Sequence, residues 1–363
     1  MKIVCIGDAM IPGENFHKAA TELGDHNIVS SNWISDWEQL QSRRLVVEQQ
    51  GPEVEDVPEA FLNNKDADML LGLFSPFSEQ AMDSFENLKL IGVARAGTEN
   101  VNIPAATERG ILVVNVMGRN AEAVSDYAVG MMLSESRNIA RAHHAIKSGN
   151  WRKEFTNSAH VPELKGKTIG IIGLGYIGRL VAKKLSGFGV KLIGFDPWIG
   201  EKDAKEAGVE LVDKETLFSH ADFTTVHARL TEESHHLVDY EELGRMKPTS
   251  YFINTARSGL VNTDALAAAL KEKKIAGAAL DVFDIEPIPE DSPLLDLDNI
   301  TLTTHIAGTT SEALSRSPYL LVDEIRKVLD GEGSKMVKNP EVLDEPKVKE
   351  WLHSLNSTVN NPS

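Results

Sequence analysis

The sequence predicts an α/β protein with parallel sheets covered by helices on both faces, arranged as two domains. Three observations predict it. The chain has 363 residues, and at about 100–200 residues per domain that length gives two. Short apolar runs recur along it, several of them apolar throughout rather than alternating, as in strands buried on both faces. Segments of helical periodicity separate the runs, which is the βαβ alternation of doubly wound folds.

The first apolar run, residues 2–6, reads as a strand. It holds Cys5, the one cysteine of the chain, expected to be an inert core thiol. Further strands are expected at 67–73, 88–94 and 111–116, then at 167–172, 190–195, 223–227, 251–254, 276–280 and 300–303. Helices are expected at 78–85, 178–186, 214–218 and 263–272. Residues 120–147 read as one long helix, with Gly130 its only strong breaker. The polar stretch 148–164, with Trp151, Phe155 and Pro162, reads as an irregular arm. Helix and arm together read as a hinge or subunit contact, or equally as a plain surface loop. The tail after Val337 is polar, and its last residues are expected to be loose.

Composition narrows the partners. Lys plus Arg number 37 and Asp plus Glu 54, so the net charge is −17. So acidic a body is repelled by nucleic-acid backbones and anionic lipid, and no basic block offsets this. An anionic ligand would need a few placed cations. A lone cysteine favours a reducing compartment over a disulfide-built secreted fold. The amino-terminal apolar stretch is too short for a signal-peptide core, and no run approaches a membrane span. The expectation is a soluble cytoplasmic protein that binds neither nucleic acid nor membrane. No metal site is assigned.

Gly173, Gly175 and Gly178 follow the strand 167–172 and open a helix, in G-x-G-x-x-G spacing. The first glycine permits a tight turn, the second lets a pyrophosphate approach the backbone, and the third allows close helix packing. The free N–H groups at the helix start attract the diphosphate. Asp196 ends the next strand, where a carboxylate accepts the adenosine ribose hydroxyls and repels a 2′-phosphate, favouring NAD over NADP. Glycines of a packing turn and an Asp of a strand-end turn are the plainer alternatives. Three further segments fall at strand ends and carry Arg257, Asp281 with Glu286, and His305. In an open parallel sheet these ends share one ligand rim. Arg257 can clamp a carboxylate. His305 can shuttle a proton near neutral pH, and Glu286 beside it favours the imidazolium. Read singly, a lone Arg is usually a surface ion pair, a lone Glu before proline a turn, and a lone His a satisfied histidine.

Together and in this order, these motifs resemble the D-isomer-specific 2-hydroxyacid dehydrogenase family, from about residue 88 to 342. The resemblance implies a Rossmann coenzyme domain, residues 118–317, inserted into a flavodoxin-like substrate domain, residues 1–117 plus 318–345, with 346–363 a polar tail. It implies an active site in the cleft and homodimerisation through the long helix and arm. It assigns Arg257, Glu286 and His305 as catalytic. Asp281 would hold the nicotinamide carboxamide. Tyr176, Ile177, Ala228, Thr255, Ala256 and Gly308 would contact the coenzyme through their backbones. Arg95, Ala96, Gly97 and Thr98 resemble the substrate loop: Ala96 and Gly97 would hold the substrate carboxylate, and Thr98 would lie against the nicotinamide. Arg95 resembles the phosphoglycerate dehydrogenase branch, where it contacts a phosphate; an internal ion pair is the alternative.

The chain departs from the family pattern at four positions. Arg229 stands near the adenosine side and weakens the exclusion of NADP. Ser258 replaces a common glycine. Thr304 replaces a proline before the histidine and leaves its loop less constrained. Asp126 replaces a glutamate. The reaction implied is NAD-dependent hydride transfer at C2 of a D-2-hydroxy acid or 2-oxo acid, with a phosphorylated acid such as 3-phosphoglycerate preferred. A formate dehydrogenase-like enzyme, which pairs its histidine with glutamine, and an NAD-sensing corepressor-like protein are the alternatives.

Overall fold

The computed structural model describes residues 1–359 of the chain. It comprises two compact units, Met1–Arg119 with the described part of Thr310–Ser363, and Asn120–Thr309.

The first unit is built on five parallel strands: β1 (Lys2–Gly7), β2 (Asn27–Asn32), β3 (Met69–Gly72), β4 (Leu90–Val93) and β5 (Leu112–Asn115). Their order is β2-β1-β3-β4-β5, the flavodoxin-like arrangement. One face packs Ile3, Cys5 and Leu71 against Phe16, Leu321 and Ile325. The other packs Val4, Ile6 and Leu70 against Phe61, Phe77 and Met82. Strands covered on both faces must be apolar throughout, which is why β3, β4 and β5 were legible. Desolvation pushes the buried Cys5 thiol up to about 12, so it stays an unreactive thiol. The edge strand β2, sequence NIVSSN, is half exposed and carries no apolar run to announce it.

The chain re-enters this unit before residue 318, the expected boundary. Thr310 caps the helix Ser311–Leu329 by accepting from the Ala313 N–H at 3.0 Å. That helix buries Leu321, Val322, Ile325 and Val328 in the first core, so it belongs to the first unit from its start. The polar tail expected from 346 is also corrected. The helix Pro346–Val359 buries Val348 and packs Trp351, Leu352 and Leu355 on the same core, positions at helical spacing. The last residues of the expected loose end, 360–363, lie outside the described residues.

The second unit carries seven parallel strands: β6 (Thr168–Ile172), β7 (Lys191–Phe195), β8 (Glu210–Leu211), β9 (Phe223–Val226), β10 (Tyr251–Asn254), β11 (Gly277–Leu280) and β12 (Ile300–Leu302). Their order is β12-β11-β10-β9-β6-β7-β8. Counted from β6 this is the Rossmann order extended by one strand, and the order reverses at β6. The two-residue edge strand β8 left no sequence signal.

The expected long helix is two helices, Ala121–Ser136 and Ile139–Lys147. The first runs through Gly130. The break falls at Asn138, which adopts the left-handed conformation with φ 57°, a region Asn enters more readily than most residues. The following arm is irregular apart from one short turn. Arg152 clasps Asp298 through two hydrogen bonds of 2.9 and 2.6 Å and stacks on Phe155 at 4.6 Å. Trp151 is 80% exposed. Among the described residues no helix is long and apolar enough to cross a membrane.

Candidate active site

The parallel sheet of the second unit delivers the expected residues to one rim, because each follows the carboxyl end of a strand. From one edge inward stand His305 after β12, Asp281 and Glu286 after β11, Arg257 after β10 and Ala228 after β9. The glycine loop follows β6 and Asp196 follows β7.

The three loop glycines have different physical reasons. Gly173 has φ +87°, and a Cβ there would stand 2.6 Å from the Ala228 backbone nitrogen. A Cβ on Gly178 would collide with the Gly173 carbonyl oxygen. A Cβ on Gly175 would meet nothing within 4 Å, so the chain's own packing does not demand that glycine. A backbone that must admit a diphosphate does. The helix Tyr176–Leu185 starts there with no side-chain cap, which leaves the Tyr176 and Ile177 N–H groups for an anion. Loop and helix thus fit a dinucleotide. Asp196 accepts from the Leu174 N–H at 2.7 Å and the Trp198 N–H at 2.9 Å. It therefore fixes the loop as well as closing a strand-end turn. Behind the loop, desolvation pushes the His227 imidazole down to about 3, so it stays neutral.

His305 and Glu286 meet. The imidazole Nδ1 is 2.7 Å from one Glu286 oxygen, and the other accepts from the Phe283 N–H at 3.0 Å. An ionised carboxylate only accepts, so Nδ1 carries the proton and Nε2 is left for chemistry. Both side chains are partly open, at 47% and 37% exposure. His305 has φ 55°, an uncommon conformation for a histidine, and Asp281 holds the loop in it. That carboxylate is wholly buried. It accepts from Thr303 Oγ1 at 2.6 Å and from the N–H groups of Ile306 at 3.1 Å and Ala307 at 2.8 Å. These bonds supply the constraint that Thr304 was expected to lose.

Arg257 is exposed, donates to the Ala256 carbonyl at 2.7 Å, and has no carboxylate partner among the described residues. Asn254 shapes its loop, accepting from the Ala256 N–H and donating to the Arg257 carbonyl, both at 2.9 Å. The neighbouring Thr255 is buried. Gly308 approaches Asn120 so closely that a Cβ would stand 2.5 Å from the Asn120 amide nitrogen.

A family model described as the NAD binding domain of D-isomer specific 2-hydroxyacid dehydrogenases matches residues 129–307. The glyoxylate reductase of Thermofilum pendens is 42% identical over 290 residues, which cover 78% of this chain and 85% of that protein. The chain belongs to the D-isomer-specific 2-hydroxyacid dehydrogenase family. The D-3-phosphoglycerate dehydrogenase of Methanocaldococcus jannaschii is also 42% identical, over 78% of this chain but 54% of that protein. The chain thus spans about half the length of that relative. Among solved structures, the apo D-lactate dehydrogenase of Escherichia coli aligns with a TM-score of 0.64 at 26% identity, over 93% of this chain and all of that one.

This family's enzymes are NAD-dependent oxidoreductases, and the second unit is their NAD-binding domain. Two of the departures from its pattern now have surroundings. Asp126 pairs with Lys184 of the glycine-loop helix at 2.7 Å, so the shorter acid still reaches a partner. Arg229 is exposed and has no carboxylate partner among the described residues. Asn254, Phe283 and Thr303 were absent from the site expected from sequence. Each works through one or two hydrogen bonds to a loop; Asn254 and Phe283 lie within the strand-end segments that carry Arg257 and Asp281 with Glu286, and Thr303 lies just before the one that carries His305.

The loop expected to bind substrate lies in the first unit, after β4. Arg95 there pairs with Glu48 at 2.6 Å and Glu99 at 3.1 Å, the internal pairing weighed as its alternative role. The Ala96 carbonyl accepts from Asn115 at 2.6 Å. The N–H groups of Ala96 and Gly97 have no acceptor in the chain among the described residues. Thr98 turns the chain, its carbonyl accepting from the Val101 N–H at 2.9 Å.

Proposed function

We propose that the chain catalyses reversible transfer of a hydride between NAD and C2 of a D-2-hydroxy acid or 2-oxo acid. The His305–Glu286 pair carries this reading. A carboxylate anchored to backbone and bonded to Nδ1 keeps the imidazole oriented, so Nε2 can give a proton to a carbonyl oxygen or take one from a hydroxyl. NAD, when bound, supplies or accepts the hydride. Arg257, with no carboxylate partner among the described residues, binds the substrate's carboxylate or carbonyl and stabilises negative charge developing on oxygen. Ala96 and Gly97 offer two N–H groups to the carboxylate. Gly173, Gly175, Tyr176, Ile177 and Gly178 hold the diphosphate, and Asp196 receives ribose hydroxyls. Ala228, Thr255, Ala256 and Gly308 line the same rim with backbone groups. Asp281 positions the His305 loop. A glutamate on the histidine favours this chemistry over that of a formate dehydrogenase.

Phosphoglycerate dehydrogenase and glyoxylate reductase relatives bracket the substrate between a phosphorylated acid and a small one. Turnover of NADH with a panel of 2-oxo acids tests the reading. Consumption with at least one of them is expected, and consumption with none contradicts it.

The chain acts as a homodimer in this proposal, through residues 120–147 and the arm around Trp151. Exposure of Trp151, Ile139 and Ile146 at 80%, 57% and 55% supports it, since such groups are favoured at interfaces. Light scattering is expected to give twice the mass of one chain, and Trp151→Glu to shift the protein toward monomer. A native monomer at micromolar concentration contradicts the proposal. The single buried cysteine supports a reducing, cytoplasmic setting.

A further inference from the structure

The loop that carries Glu286 also walls an open pocket of about 280 Å³, lined by no residue assigned above to coenzyme or substrate. The pocket lies between this loop, after β11, and the start of the helix Thr263–Lys271. Leu280, Val282 and Leu294, all buried, and the half-buried Ile288 give it apolar walls. Pro289 and Pro293 line it too, and each fixes its own φ, so the shape stands without a ligand. Its volume is at the small end for ligand pockets, which run from about 300 to 1,000 Å³. Ile285, also in the lining, is 63% exposed, an apolar group held at the mouth.

Two acids complete the lining, Asp284 and Asp291. One oxygen of Asp284 accepts from Thr263 Oγ1 at 2.7 Å. Its other oxygen, and both of Asp291, have no partner among the described residues. No lysine or arginine stands between Lys274 and Arg316, so the neighbouring sequence brings no cation to them. Unpaired carboxylates at an apolar pocket favour a cation and repel an anion. A cation on an apolar body suits both features, because the body leaves water against the walls while the charge meets the acids. A neutral apolar molecule would use the walls alone.

One hydrogen bond joins the pocket to the chemistry. Phe283, in the pocket wall, donates its N–H to one oxygen of Glu286 at 3.0 Å, and the other oxygen is the one on His305. Pocket wall and catalytic carboxylate thus share one turn.

We propose that this pocket binds a small organic cation, an ammonium group on an apolar body, and that the occupant raises turnover by fixing the turn that holds Glu286 on His305. The binding rests on the pocket alone. The effect on turnover rests on the dehydrogenase reading above.

Calorimetry compares 2-phenylethylammonium with two compounds of similar size, neutral 2-phenylethanol and anionic 3-phenylpropionate. The ammonium is expected to bind about three- to tenfold more tightly than the alcohol, the range for one or two exposed ion pairs, and the anion more weakly than either. Asp291→Asn and Asp284→Asn, the latter keeping an acceptor for Thr263, are each expected to shrink the preference for the ammonium. Ile288→Trp, which fills the pocket, is expected to abolish binding of ammonium and alcohol alike. Circular dichroism checks that each variant is folded. Saturating ammonium is expected to raise kcat for NADH-dependent reduction about twofold or more in the native protein and not in Ile288→Trp. No binding of the ammonium, an alcohol bound as tightly, or a preference unchanged in both folded aspartate variants overturns the site. Binding with kcat unchanged keeps the site and overturns its action on turnover. Binding by a protein that turns over no 2-oxo acid keeps the site and overturns the dehydrogenase reading, and turnover without binding does the reverse.

Discussion

Replacing His305 with alanine is expected to lower turnover by about 10²–10⁴-fold, the usual worth of a general acid–base group. NADH affinity should hardly change, because the groups assigned to the coenzyme's far end are the glycine loop and Asp196, which follow other strands. Glu286→Gln is the finer probe. Glutamine keeps one acceptor, for either Nδ1 or the Phe283 N–H, which Glu286 now serves at 2.7 and 3.0 Å, and it removes the negative charge beside the imidazole. Its loss should therefore be smaller than that of His305→Ala. Glu286→Ala removes orientation too and should be worse than Glu286→Gln. Single-turnover rates with folded fraction measured separately check the series. A purely structural histidine would instead lower stability and leave turnover per folded molecule near native.

The second large effect concerns stability. Glu135 is fully buried at the end of the helix Ala121–Ser136. Both its oxygens lie 2.9 Å from Nη1 of Arg141, and one accepts from Thr301 of β12 at 2.6 Å. Burial still pushes its carboxyl above the usual range, against the pull of Arg141. Gly277 of β11 makes room for it, since a Cβ there would collide with Glu135 Oε1. The network therefore joins the helix break at Asn138 to the sheet edge. Glu135→Ala would leave the Arg141 guanidinium without its carboxylate. Such a loss costs about 3–5 kcal/mol, whereas replacing a whole buried pair by apolar groups is often neutral. Urea denaturation should show that loss for Glu135→Ala and a smaller one for Glu135→Leu combined with Arg141→Met. A change below about 1 kcal/mol in the single variant would mean that Arg141 finds other partners, and the network would lose its structural role.

The legible parts of this protein are those where one short stretch contains the physics. Strands buried on both faces declare themselves as apolar runs, and the glycines at 173, 175 and 178 declare a turn into a helix. Arg257, Glu286 and His305 stand beside strand ends, so a parallel sheet puts them on one rim. Features made by distant residues were not legible. Arg95 meets Glu48 from a helix that the sequence left unassigned. Asp281, expected to hold the nicotinamide carboxamide, also accepts from the His305 loop 25 and 26 residues on, a second task that the sequence did not show. The edge strands β2 and β8 are too exposed or too short to show a pattern. The break at Asn138 depends on Arg141, which bonds to the Asn138 side chain at 2.9 and 2.7 Å, rather than on any strong breaker. The terminal helix is a different case. Its spacing at Val348, Trp351, Leu352 and Leu355 was present in the sequence and was masked by polar neighbours.

The central claim is that this site moves a hydride between NAD and C2 of a 2-hydroxy acid. Its most direct test uses NADH deuterated on the transferred face at C4, with a 2-oxo acid that the panel shows to be consumed, or with the whole panel if none is. Mass spectrometry and chiral separation then follow the product. The account predicts one deuterium at C2 of the D-2-hydroxy acid for each NADH oxidised, with the yield collapsing in His305→Ala. A product without deuterium at C2, an L-configured product, or no product from any acid would contradict it.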